Sequence, residues 1–406
     1  MASSSSTTQK ILFALVPALV LVLLGGGGVL LGRHLAIRKI ATVVNHQAHT
    51  RTVGSLLRAE NLHTELHLSY KDPADALANL DHYSWVPQNI PAPFVGSAPM
   101  PDNNSRVTIN SMGFRCDHEL MIPKPPDLCR IFITGGSTAY GAGAPDLNRT
   151  IGGFLQALLN RELGPPNRMS CEVIVAANPA WASTQERILI ENRISELEPD
   201  LVISFSGNND VHWGARGANV MWFRTYVDAH YRELVQVSYD LSGHPLSHDI
   251  VQKSQGFVDA KHVAERLRKN VELSAYILSR KTVPYYFMLQ PTLSVSKKPL
   301  SAREDKILSR SKAQSLDIAK YFNNCYGLIR ETLPRVSVDN LHFLDLSEVF
   351  DKYGEDDEIF LDSYHFGDRG NEIIARILFD TIKIPVMNIQ KSMTAASNNT
   401  SHRDTR

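Results

Sequence analysis

The chain has 406 residues, 42 of them basic and 42 acidic, so its formal charge is zero. That balance excludes a chain built around a basic surface, and no nucleic-acid partner is expected. Cys116, Cys129, Cys171 and Cys325 include no Cys-x-x-Cys pair, and the 15 histidines supply no His-Glu-x-x-His spacing; no metal site is expected.

Residues 1–10 form a polar leader rich in Ser and Thr. Residues 11–32, from Ile11 to Gly32, carry no charge, and about 20 apolar residues suffice to cross a bilayer. A cleaved signal has an apolar region of only about 7–15 residues, so this length predicts an uncleaved anchor. Lys10 precedes the stretch, whereas Arg33, Arg38 and Lys39 come after it; taken alone, the positive-inside rule keeps the large C-terminal portion of the chain in the cytoplasm. Residues 33–106 read as a connector. Its first part is helical, with Leu56, Leu57, Leu62, Leu66 and Leu68 on one loose face. Trp85 to Pro101 is Pro-rich, with no regular element expected.

Residues 107–386 read as one domain. Val107–Arg115 predicts a short strand and a turn. Strands are then expected at Arg130–Thr134, Glu172–Ala177, Leu201–Phe205, Pro284–Leu289 and Leu341–Leu346. Between and after them, helices are expected at Thr150–Glu162, Gln185–Leu197, His262–Leu278, Ala302–Leu333 and Gly370–Ile382. Such alternation predicts an α/β fold, a parallel sheet covered on both faces in a three-layer sandwich. An insertion at 211–261 breaks the order. It carries Trp213, Trp222, Phe223, Tyr226, Tyr231 and Tyr239, and reads either as a lid or substrate wall or as an ordinary packed excursion. Residues 387–406 are polar and expected to be disordered.

Three loop stretches concentrate chemistry. Gly135-Gly136-Ser137 comes directly after an apolar strand, and its glycines permit a sharp turn that exposes the hydroxyl at the carboxyl edge of a sheet. Gly207-Asn208-Asn209-Asp210 ends a second strand in amide side chains. Asp362-Ser363-Tyr364-His365 puts a carboxylate three residues before an imidazole that it can orient as a base. Taken singly, each has a plain reading: a loop, a helix cap, a satisfied histidine. Together they supply a nucleophile, an oxyanion donor and an oriented base.

These blocks, in this order, resemble the SGNH (GDSL-type) serine hydrolases, specifically their membrane-anchored bacterial members. The resemblance covers about Arg130 to Phe379. It implies a flavodoxin-like sandwich, an esterase activity without cofactor or metal, and Ser137, His365 and Asp362 as the triad. It further implies Gly207 and Asn209 in the oxyanion block, with backbone N–H groups from Ser137 and residue 180. Two positions depart from the pattern: Gly136 stands where an aspartate is common, and Ala180 stands where the family has a glycine. The expected substrate is an acyl ester, of a saccharide or lipid. Anchored members of the family act outside the cytoplasm, against the positive-inside rule; export is the expectation taken here. In an oxidising compartment Cys116 and Cys129 are candidate disulfide partners, with isolated buried thiols the equal alternative. Two other functions stay open: an O-acetyltransferase that passes the acyl group to a sugar, and a catalytically silent tethered binding module.

Overall fold

The computed structural model describes residues 4–47, 51–55, 69–103, 107–164, 170–217, 235–243, 256–314 and 318–401. The chain divides into two compact units, Met1–His49 with Ala229–Asp249, and Thr50–Asp228 with Ile250–Arg406. The first contains helix α1, Ser4–Gln47, with Pro17 and Gly25–Gly28 inside it, and a short helical stretch at 235–241. Within α1, Leu15–Thr42 is long and apolar enough to cross a membrane, although a signal sequence meets the same test. Its apolar side chains point outward all round, Leu21 and Leu24 being about 70% exposed, unlike the one-sided stripe of a core-packed helix.

The second unit is built on five parallel strands: β1 Leu128–Gly135, β2 Ser170–Ala177, β3 Leu201–Ser206, β4 Tyr285–Leu289 and β5 Leu341–Asp345. Their order in the sheet is β5-β4-β3-β1-β2. Side chains alternate between faces with period two. Phe132, Ile174, Val202 and Phe287 point to one core, and Ile131, Ile133, Val175, Ile203 and Met288 to the other. Helices α2 Ser137–Tyr140, α3 Ile151–Leu163, α4 Ser183–Asn192 and α5 Asn208–Ala215 come from the first three crossovers. They are succeeded by α6 Ala260–Ser279, α7 Ala302–Gln314, α8 Ile318–Thr332 and α9 Asp368–Ser401. The first core takes Leu189 of α4, Leu267 of α6 and Phe322 of α8; the second takes Leu155 of α3 and Leu378 of α9. The fold is the expected three-layer sandwich. Because β1 connects outward to β2 and then back across to β3, the order reverses between β1 and β3. Open α/β sheets form their crevice at such a switch point.

Three expectations are corrected. The Pro-rich stretch forms strands Ser84–Val86, Asn89–Ala92 and Gly96–Pro99, because antiparallel edges accept proline where no ladder N–H is required. The compact unit starts at Thr50, and residues 70–85 form a small core of their own with Leu361, so this stretch is no free connector. Residues 387–393 continue α9, with Ile389 against the core and Gln390 buried, so the polar tail is helical to Ser401. Of the two readings of the cysteines, the structure has the second: all four are free and buried, and Cys129 lies in register with Cys171. Leu56 to Leu68, and Trp222, Phe223, Tyr226 and Tyr231 of the insertion, lie outside the described residues.

Candidate active site

The carboxyl ends of β1, β2, β3 and β5 feed one crevice. β1 ends at Gly135, whose φ of 148° belongs to glycine alone; a Cβ there would sit 2.3 Å from the Phe205 carbonyl oxygen. Ser137 then opens α2 and stays half-exposed. Arg115, fully buried, donates through Nη1 to the carbonyls of Tyr140 and Gly141, each at 2.9 Å, and lies over the Tyr140 ring. This guanidinium closes the C-terminal end of the helix carrying Ser137, which explains the Gly113-Phe114-Arg115 turn ahead of β1.

His365 Nε2 lies 2.6 Å from Ser137 Oγ, and its Nδ1 lies 2.8 and 2.9 Å from the two Asp362 carboxylate oxygens. Asp362 accepts only, so Nδ1 carries the proton and Nε2 faces the serine as acceptor. Asp362 Oδ1 also accepts the backbone N–H groups of Tyr364 and His365, at 2.7 and 2.8 Å. Burial pushes the Asp362 carboxyl up, but His365 and these hydrogen bonds outweigh it and hold it below the ordinary value. Trp85 packs against the imidazole, ring centroids 4.4 Å apart. Buried ions fix the loop itself. Arg303 donates to Glu358 at 2.7 Å and to the carbonyls of Phe360 and Leu361. Glu304, paired with Lys298, accepts from the N–H groups of Ile359 and Phe360.

Asn209, in the first turn of α5, donates its amide nitrogen to the Trp181 carbonyl at 2.6 Å. That bond orients the amide, and its nitrogen rests over Gly136, where a Cβ would approach it to 2.2 Å. Ala180 adopts φ 71°, the left-handed region that a methyl group disfavours. Trp213 Nε1 holds its carbonyl at 3.2 Å, while its N–H donates to no acceptor among the described residues. Gly207, at φ 101°, makes the turn from β3 into α5. Asp210 points away and caps α4, accepting from Ser183 N and Oγ at 3.0 and 2.6 Å; burial pushes it up to about 6.

Beneath the crevice Glu186 is buried and accepts from Thr134 at 2.9 Å and from Ser206. Burial lifts it to about 7 against those hydrogen bonds. Cys116, Asp117 and His118 lie close together, and the imidazole is hydrogen-bonded to Asp117 at 2.8 Å and to Glu172 at 2.9 Å. A cavity of about 270 Å³ lined by Phe94, Met112, Phe114 and Leu189 meets the site only at Trp181. Motif reading missed Trp85, Glu186, His212 and Tyr364 as neighbours of the site: the first three stand in no pattern, and Tyr364 fills a place that its motif leaves open; the sheet edge collects them.

No family model and no curated protein matches the chain. Similar solved structures include a lipase/acylhydrolase from Enterococcus faecalis, 15% identical over 63% of this chain and 95% of its own, at TM-score 0.36. An acetyl xylan esterase is 14% identical over 62% of this chain and 99% of its own, also at 0.36. A GDSL-like lipase from Bacteroides thetaiotaomicron is 12% identical over 63% and 88%, at 0.35. Likeness at that level carries none of the chemistry.

Proposed function

We propose that the chain is a serine ester hydrolase, with Ser137 as nucleophile, His365 as general base and Asp362 as its orienter. The observation that carries this reading is the 2.6 Å contact between His365 Nε2 and Ser137 Oγ, which lies within the reach needed for proton transfer. Ser137 Oγ attacks the ester carbonyl as Nε2 takes its proton. The tetrahedral oxyanion is met by the N–H groups of Ser137 and Ala180 and by the free N–H of Asn209. Collapse expels the alcohol, protonated by His365, and leaves an acyl-serine. Water, activated by the same imidazole, releases the acid. A sugar hydroxyl in place of water gives O-acyl transfer from the same intermediate, and acceptor access alone decides between them.

A fluorophosphonate probe tests the reading: it labels the wild type at Ser137 and leaves Ser137→Ala unlabelled. Labelling that persists in the variant assigns the chemistry to another residue. The α1 helix is proposed as a membrane anchor with the catalytic domain outside the cytoplasm. Resistance to an alkaline carbonate wash, and digestion of the domain by protease added to intact spheroplasts, are the expected results. Survival until lysis places the domain inside.

A further inference from the structure

One face of α5 runs from the oxyanion amide to a cation. Asn209, His212, Trp213 and Arg216 are spaced three to four residues apart, so they project from the same side. Asn209 and Trp213 hold the oxyanion loop through the Trp181 and Ala180 carbonyls. Arg216, the residue that ends α5, donates Nε–H to His212 Nε2 at 3.0 Å. His212 Nδ1 lies 3.2 Å from the hydroxyl of Tyr364, the neighbour of His365. Burial, and then the Arg216 charge, depress the imidazole to about 4, so it is neutral. This fixes its tautomer: Nε2 accepts from Arg216, and Nδ1–H donates to Tyr364 Oη. The Tyr364 hydroxyl hydrogen is thereby left for another acceptor. Arg216 Nη1 and Nη2 likewise donate to no acceptor among the described residues, and no carboxylate there pairs with this exposed guanidinium.

A plainer role for Arg216 is to neutralise the carbonyls that end α5. Its Nε is instead drawn onto a half-buried neutral imidazole, which fixes the plane of the guanidinium and leaves its outer fork at the exposed surface. A fixed fork suits two oxygens of one anion. At about 1.5 Å of rise per residue, Arg216 stands about 10 Å along the helix from Asn209, the span of a sugar ring or two.

We propose that Arg216 and Tyr364 form an anion subsite, so that the substrate is an ester bearing a carboxylate or phosphate a short distance from the reacting carbonyl. The subsite rests on the hydrolase reading of Ser137, His365 and Asp362. His212 is a positioning residue in it, holding both donors.

The test uses the full chain in detergent and two matched pairs: acetylated digalacturonate against its methyl ester, and acetylated glycerol phosphate against acetylated glycerol. Wild type should favour the charged member of one pair by about ten- to a hundredfold in kcat/KM, the effect of one or two charge-assisted hydrogen bonds. The favoured pair identifies the anion as carboxylate or phosphate. Arg216→Gln should raise KM for that ester about tenfold with little change in its kcat, Arg216→Lys should restore part, and Tyr364→Phe should lower the preference. A wild-type ratio of one or less in both pairs, or a ratio untouched by Arg216→Gln, overturns the subsite while ester turnover stands. Calorimetric titration with inorganic phosphate and with galacturonate reads the subsite without turnover. If no ester is cleaved and Ser137 is not labelled, the hydrolase reading fails, and this titration still decides: binding lost in Arg216→Gln supports the subsite, and equal or absent binding overturns it.

Discussion

Gly136 and Ala180 border the same crevice and depart from the SGNH pattern in opposite senses, one lacking a side chain and the other carrying one. Gly136 has an ordinary φ of −87°, so its backbone tolerates any residue. What it lacks is room, since a Cβ would meet the Asn209 amide at 2.2 Å. Ala180 has room and lacks a comfortable torsion, at φ 71°. The first constraint falls on the end of a flexible side chain, so violating it perturbs chemistry more than folding. The second falls on the backbone, so relieving it changes stability more than chemistry.

The reference for any variant is Ser137→Ala, which should lower kcat about 10⁴-fold or more while leaving the melting temperature near that of the wild type. Gly136→Ala should cost about 10²–10³ in kcat, the loss of one oxyanion donor. Its stability should fall by about 1 kcal/mol, since the severe clash is with the Asn209 amide, which can swing aside, while the Trp181 carbonyl, 3.1 Å from such a Cβ, has only to give slightly. A Gly136→Ala enzyme with full kcat would remove Asn209 from the oxyanion site. Gly135→Ala sharpens the contrast, because there the clash is with the Phe205 carbonyl and the loss should be of folding.

Glu186 gives an effect of intermediate size. Its ordinary value of 4.5 rises to about 7 on folding, so between those limits the folded chain binds more protons than the unfolded one. Stability from this group is therefore full below about 4.5 and lost as pH rises through 7. The shift corresponds to about 3 kcal/mol. Glu186→Gln should flatten denaturant midpoints between pH 5 and 8; an unchanged slope would show that Glu186 is not the titrating group. The smallest change expected is in Ala180→Gly, which should stabilise by about 1 kcal/mol and keep or raise kcat. The proline variant is a poor probe of the same N–H, because proline cannot reach φ 71°.

Sheet and helices were legible because buried parallel strands read as apolar runs, such as Ile131–Ile133 and Leu201–Ile203, and the site was legible where it adjoins the ends of those strands. Trp85 was not. It reaches His365 from a short antiparallel strand in a Pro-rich stretch, and its contact spans residues far apart in the chain. Tyr364 lay inside a quoted motif, yet its link to His212 depends on α5 packing beside that loop. Ala180 was visible as a departure, but its torsion is a property of the β2–α4 loop and no sequence pattern carries it. Of the two open readings of the cysteines, buried free thiols is the one found; closeness along the chain is not closeness in space, and parallel pairing sets Cys129 beside Cys171.

That last pair has a use. Cys129 and Cys171 lie in register on adjacent strands, 0 and 3% exposed. Both side chains face the layer formed by α3 and α9, with Gln390 Nε2 3.7 Å from Cys171 Sγ, so a small alkylating reagent reaches the sulfurs when that layer lifts from the sheet. The rate of thiol modification in buffer, compared with that in denaturant, therefore counts how often the helical layer opens over the sheet. The molecule carries its own clock for breathing, sited at the opposite end of β1 from the reaction centre, and it can be read without adding a label.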